Sequence, residues 1–293
     1  MKLSVRQATI LLAAVISARA TSFMFSKLCL TTMNSCSLIA LRFTVASLLL
    51  LALFSPKIIP HINRRNVLSG ALIGALYFFV MICEYMGLKT TNASTTSFIE
   101  NLAIIVVPLA ECLLGRRLPT GRVLLSAVLA MLGVGMLTMT GSGFSLTAGE
   151  IWVLGACLLY AAAIMVTSRL APKGNPFVIG FFQVTTTGLL AWLSLPLYGG
   201  LTLPTGGSQY AMVFMLAFVC TFFGFTLQPV AQSRLPAETA GAFCALGPLV
   251  ASVLSFIFLK EAFPPCNMAG AALILISLSI ESGLIKLPKG SRK

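Results

Sequence analysis

Long apolar runs, each near the length of one membrane-crossing helix and separated by short polar connections, set the pattern of this chain. Ten such segments cover 6–29, 36–54, 66–88, 93–114, 122–140, 149–169, 176–198, 209–231, 237–259 and 265–285. The stretch SLIALRFTVASLLLLALF, Ser37 to Phe54, holds a single charged residue, Arg42. A helix crossing a bilayer needs about 20 predominantly apolar residues. The runs are continuous and lack the two-residue alternation of lipid-facing barrel strands, so helices are predicted. Connections such as TMNS, GRRLPTG, TGSGFSLTAG and YGGLTLPTGGS are rich in Gly, Pro, Thr and Asn, the residues of turns. The pattern predicts an all-α integral membrane protein of ten transmembrane helices with no soluble domain between them.

Composition agrees: 58% of the 293 residues are hydrophobic, 9% are charged, and Asp is absent. A soluble domain carries roughly 25% charged residues. The net charge of +13 changes the picture only through its distribution. With the N-terminus inside, the inner connections and ends hold 15 Lys and Arg, among them Arg64, Arg65, Arg116, Arg117 and Arg234. The outer ends hold three, Lys27, Lys89 and Lys260. This bias places both termini in the cytoplasm. A charge dispersed over six segments is a topology signal, and it excludes nucleic acid as a partner. The eight cysteines show no C-x-x-C spacing, so no metal site or redox pair is indicated, and no cofactor is expected. Cys29 and Cys36 flank one short loop, where isolated apolar thiols are the expected state.

Two arginines, Arg19 and Arg42, remain inside helices. Ten helices with both ends inside divide into five plus five, and an odd number per half inverts one half relative to the other. Residues 1–145 and 146–293 are the expected repeats. Ser97 to Pro119 aligns without gaps on Ala242 to Pro264, matching Phe98 with Phe243, Leu114 with Leu259 and Pro119 with Pro264. A competing reading of the first segment takes Ala18-Arg19-Ala20 as a signal-peptidase site after the basic start and the apolar ATILLAAVIS. Cleavage there would leave nine helices, and the apolar run continues past it to Phe25, so an intact first helix is expected.

The order of these segments resembles the drug/metabolite transporter superfamily, specifically its EamA-type ten-helix members. LIALRFTVASLLL with Arg42 resembles the family's second helix. GLKTTNASTTSFIENLAIIVVPLAECLLGRRLP resembles a first-half stretch, and PAETAGAFCALGPLVASVLSFIFLKEAFPPCNMAGAALILISLSI, with Pro248 and Lys260-Glu261, a second-half stretch. PFVIGFFQ, Pro176 to Gln183, resembles the start of the seventh helix. Three places depart from the family pattern: Arg19-Ala20-Thr21-Ser22-Phe23 ahead of Lys27, Glu84 in helix three, and Glu100-Asn101 in helix four. Each departure alters the charge of the expected cavity. The resemblance implies inverted repeats rocking about a midplane site.

A charge at a helix centre costs about 2.5–3.5 kcal/mol on insertion scales, so such residues face the bundle interior and pair. Val15, Arg19, Ser22 and Ser26 follow helical spacing and form one stripe. Glu100 and Glu111, eleven residues apart, return to nearly the same face at 3.6 residues per turn. Glu111 lies one turn from Arg116 and Arg117 and is expected to pair there as a structural charge. For Arg19 and Glu100 two readings stand: a structural ion pair, or a cavity site. In the second, Arg19 holds an anionic group, and Glu100 or Glu84 changes protonation during transport. Burial disfavours a charged carboxylate and a nearby arginine favours it, so a solute competing for the arginine alters proton affinity. Ser22, Asn101, Gln183 and Gln228 complete the substrate-binding candidates. Arg42 is expected to be a structural charge facing Glu84. Thr221, Gln228 and Gln232 follow helical spacing as a second stripe whose plain reading is interhelical hydrogen bonding. Gly70 and Gly74 suit close helix contact. Glu261 is expected at a helix-end ion pair.

These features point to a secondary transporter of a small metabolite, amino acid or drug, directed outward, in the cell (cytoplasmic) membrane. Its partners are the small-molecule substrate and the lipid bilayer, with monomer and homodimer both open. No P-loop is present, so ATP is not the energy source in this chain. No His-Glu-x-x-His and no nucleophile–base set marks a membrane enzyme. An enzyme, a channel and an assembly factor are the alternatives.

Overall fold

The computed structural model describes residues 5–140, 143–144, 147–170, 173–224, 246–262, 264–281 and 285. Its helices are α1 (Val5–Cys29), α2 (Ser35–Ile58), α3 (Arg64–Leu88), α4 (Ala93–Asn101), α5 (Ala103–Leu114) and α6 (Gly121–Thr138). They continue with α7 (Ala148–Leu170), α8 (Pro176–Ser194), α9 (Gly207–Met215), α10 (Leu246–Leu259) and α11 (Pro265–Glu281). A two-residue antiparallel bridge, Met139–Thr140 with Gly143–Phe144, closes the connection after α6.

Short polar residues start the helices where the sequence places them. Asn34, Asn63 and Asn175 cap α2, α3 and α8, each side chain accepting a backbone N–H of the first turn. Before α7, the Glu150 carboxylate accepts the Thr147 N–H at 2.8 Å while Thr147 Oγ1 accepts the Glu150 N–H at 3.3 Å. That reciprocal box satisfies two otherwise unpaired donors.

Two elements depart from a plain helical reading. The fourth apolar segment is broken at Leu102, between α4 and α5. There the Leu102 N–H bonds to the Ile99 carbonyl three residues back at 3.2 Å instead of Phe98, and the Asn101 side-chain amide donates to the Ser97 carbonyl at 2.8 Å. The chain from α9 continues as a π-helix over Leu216–Phe223. Thr221 Oγ1 donates to the Leu216 carbonyl five residues back, in keeping with the wider turn.

Helix α3 packs on α7 and α8, α2 on α8, α6 on α11, and α1 and α4 on α10. The α3–α8 seam is set by glycine. A Cβ on Gly70 would lie 2.7 Å from the Ile179 carbonyl oxygen, and one on Gly74 2.5 Å from that of Gln183. The predicted Gly-x-x-x-Gly contact is therefore present, and it is a backbone-to-backbone approach.

Polarity is distributed inside out. Arg42, Glu84 and Glu100 are buried, while Leu53, Met131, Leu132 and Phe256 are exposed on the outer surface. An apolar exterior of this extent belongs against lipid. Among the described residues, six helical spans are long and apolar enough to cross a membrane: Arg6–Cys29, Ser35–His61, Arg64–Leu88, Ala93–Leu114, Ala148–Thr167 and Phe177–Tyr198. Four more described helices are apolar and shorter. Ala20 is buried in the middle of α1, so cleavage after it would cut a packed helix. Cys29 and Cys36 are buried and free.

Candidate functional site

A cavity of about 80 Å³ opens among α1, α2, α3, α4, α7 and α10. Its charged wall is Arg19, Arg42, Glu84 and Glu100, with Ser22 and Asn101 beside them. Tyr160 and Gly247 close it from the later part of the chain. Most of the sequence-derived candidates therefore meet in one place.

The two arginines are held differently. Arg42 is almost fully buried, and hydroxyl groups from three other elements surround its guanidinium. Nε donates to Thr221 Oγ1 at 2.6 Å, and Nη1 donates to Ser22 Oγ at 3.0 Å and to Tyr85 Oη at 2.8 Å. Ser26 in turn donates to Tyr85 Oη at 3.2 Å. Glu84 stands within electrostatic reach of Arg42, so their association acts through charge, while the bonds go to neutral hydroxyls. Arg19 is half-buried and donates to Tyr160, whose ring meets Tyr77 edge-on at 6.0 Å. Its stem lies against Gly224, where a Cβ would come 2.7 Å from Arg19 Cγ.

The carboxyl groups of Glu84 and Glu100 meet at hydrogen-bonding range, with Arg19 and Arg42 as nearby positive charges. Glu100 is 7% exposed, and its Oε2 has no hydrogen-bond partner among the described residues. A buried carboxylate oxygen without a donor is costly. It is the atom of this cavity that a cationic or proton-donating ligand would satisfy.

Other candidates fall elsewhere. Gln183 is buried in the α3–α8 seam and does not line the cavity, because Gly70 and Gly74 draw its backbone against α3. Glu111 is exposed on α5 and has no ion-pair partner among the described residues. The break at Leu102 interrupts the helical period, so the spacing from Glu100 to Glu111 does not place them on one face. Gln228 and Gln232 lie outside the described residues, and Thr221, the third member of that stripe, sits in the π-helix and bonds Arg42. Glu261 does form an ion pair, but with Lys27 at 3.1 Å.

Tyr77 and the hydroxyl set around Arg42 carried no usable sequence signal as a group. Tyr85 and Tyr160 are aromatic residues in apolar helices, where packing is the plain reading, and no spacing rule joins Ser22, Arg42, Tyr85 and Thr221 across four elements.

The EamA-like transporter family model matches this chain twice, over residues 7–139 and 147–282. An uncharacterized transporter of Archaeoglobus fulgidus is 25% identical, over 89% of this chain and 81% of that protein. The threonine/homoserine exporter RhtA of Escherichia coli K12 is 24% identical over 80% and 78% of the two chains. A probable terminal-alkyne amino-acid exporter of Streptantibioticus cattleyicolor is 25% identical over 79% and 78%. One crystal structure shares the fold, with a TM-score of 0.69 at 17% identity, covering 95% of this chain and 97% of that one. These relatives are transporters, not enzymes. The inside-out polarity, the apolar helices and the family match agree: the chain is a multi-pass membrane transporter and belongs to the EamA-like transporter family of the drug/metabolite transporter superfamily.

Proposed function

We propose that this protein is a secondary active exporter of a small metabolite or amino acid in the cell membrane, working by alternating access with proton coupling. Ten transmembrane helices form two inverted repeats, 1–145 and 146–293, with both termini cytoplasmic. Two observations support the repeats. The family model matches once in each half. Helix contacts also exchange with the halves: α1 packs on α10 as α7 packs on α4 and α5, and α3 packs on α7 and α8 as the π-helix packs on α1 and α2. The pairs α2–α8, α4–α10 and α6–α11 exchange into themselves.

The observation that carries the reading is one cavity lined by Arg19, Glu84 and Glu100, closed by residues of the other half. Arg19 takes the anionic group of the solute. Glu100, with Glu84 beside it, takes the proton or the cationic group. A hydrogen bond between two carboxyl groups needs one proton between them, and an arriving ammonium group displaces that proton. The amino-acid exporters among the relatives make a zwitterion a natural first solute to try. About 80 Å³ holds roughly three waters, well below the few hundred Å³ of ordinary ligand pockets. Loading a solute therefore requires helices to part, as alternating access supplies.

The test is pH-gradient-driven amino-acid uptake into proteoliposomes. Accumulation above equilibrium that collapses with the gradient supports the reading; downhill movement alone means a channel. If Glu100→Gln leaves both transport and its pH dependence unchanged, proton coupling through Glu100 is excluded.

A further inference from the structure

Away from the cavity, three distant pieces of chain meet at one end of the bundle. Lys27, near the end of α1, donates from Nζ to Glu261 Oε1 at 3.1 Å and to the Thr91 carbonyl at 2.8 Å. Glu261 Oε1 also accepts the Ala93 N–H at 2.7 Å, and Oε2 accepts the Ser94 N–H at 3.3 Å and Ser94 Oγ at 2.7 Å. The Glu261 carboxylate thus caps the start of α4 from outside its own half of the chain. Lys260 makes this reach possible: its left-handed φ of 51° ends α10 and turns the following residue toward α4. A negative charge at a helix start meets unpaired N–H groups and the positive end of the dipole.

The two helices joined here also carry the cavity charges. Arg19 lies two turns before Lys27 on α1, and Glu100 lies in the last turn of α4, about 10 Å along the axis from Ala93 at 1.5 Å per residue. Helix α4 is nine residues long and meets α5 at the Leu102 break, with Glu100 in its last turn. Whatever holds its start sets where Glu100 stands relative to Arg19.

The geometry points to Glu261 and Lys27 as positioning residues that fix α4, and so Glu100, against Arg19, and whose separation opens the cavity at their end of the bundle. This rests on the alternating-access reading above. A solute bridging Arg19 and Glu100 pulls on the same two helices that the ion pair joins, so the occupied cavity and the closed clasp reinforce each other.

The experiment places one cysteine in the cavity wall, Met81→Cys, in a background whose native cysteines are replaced. A membrane-impermeant maleimide is applied to right-side-out and inside-out vesicles. The parent reacts from both faces. Glu261→Gln and Lys27→Met each raise the rate from the clasp face tenfold or more and lower it from the other face. The double variant goes no further than the larger single one. Glu261→Asp, which keeps the charge one methylene short, gives a smaller rise and serves if the Gln variant does not fold. Rates unchanged on both faces overturn the clasp while alternating access stands. Equal rises on both faces mean a loosened fold and also overturn it. Reaction from one face alone in the parent and every variant overturns alternating access, and the gate with it.

Discussion

Glu261 and Glu100 are buried to the same degree, 8% and 7% exposed, yet their surroundings differ completely. Both oxygens of Glu261 accept from two donors each, drawn from Lys27, Ala93 and Ser94. Glu100 meets another carboxyl group, and its Oε2 accepts from no described residue. Burial alone therefore does not separate a carboxylate with every acceptor filled from one with an open acceptor; hydrogen-bond satisfaction does. A fully bonded charge stabilises one arrangement. An unsatisfied one in a cavity leaves binding free energy for a solute or a proton.

The sharpest way to break this comparison is to neutralise each residue. Glu261→Ala leaves Lys27 without its counter-charge and two backbone donors of α4 without that acceptor, a loss of roughly 3 kcal/mol. It should clearly lower the melting temperature of the purified protein. Glu100→Gln should leave that temperature unchanged or raise it, while reducing pH-gradient-driven transport at least tenfold. A Glu100→Gln variant as unstable as Glu261→Ala would make Glu100 a structural charge after all.

The arginines give a parallel test of smaller size. Arg42→Lys keeps the charge but loses the planar fork that reaches Thr221, Ser22 and Tyr85 together, a cost of about 1–3 kcal/mol. Thermal unfolding should register it. Arg19→Lys should leave stability nearly unchanged and weaken apparent affinity for anionic or zwitterionic solutes, seen as a rise in KM. The smallest effect separates two glycines, Gly224 against the Arg19 stem and Gly247 in the cavity wall. Gly224→Ala drives a methyl group into the Arg19 stem and should raise KM several-fold. A Cβ on Gly247 would meet the Asn101 amide at an ordinary 3.8 Å, so Gly247→Ala should be nearly silent. Equal effects from both would mean that Arg19 does not need its observed placement.

Much of the architecture is legible in the chain because membrane helices announce themselves by length and apolarity. The segments at 6–29, 36–54, 66–88, 149–169 and 176–198 fall on described helices. The Gly70–Gly74 contact follows from spacing, since both glycines lie on one face. The break at Leu102 does not follow from spacing. No Gly or Pro marks it, and it shows only as a tightened turn in which the Leu102 N–H bonds to Ile99. The π-helix is equally silent in sequence, and it holds Thr221 where its hydroxyl accepts from Arg42. Gln183 failed as a cavity candidate because a polar residue in an apolar helix identifies a buried position without saying which seam it enters.

The sequence by itself determined that this is a helical membrane protein, and that Arg19 and Glu100 are charges a bilayer tolerates only inside the bundle. Hydrophobic length and the cost of burying charge are local properties, readable residue by residue. Only the tertiary structure decided which charges share a cavity, that neutral hydroxyls hold Arg42, and that Lys27 answers Glu261 across 234 positions. Those pairings depend on helix packing, which brings together residues that no sequence spacing relates.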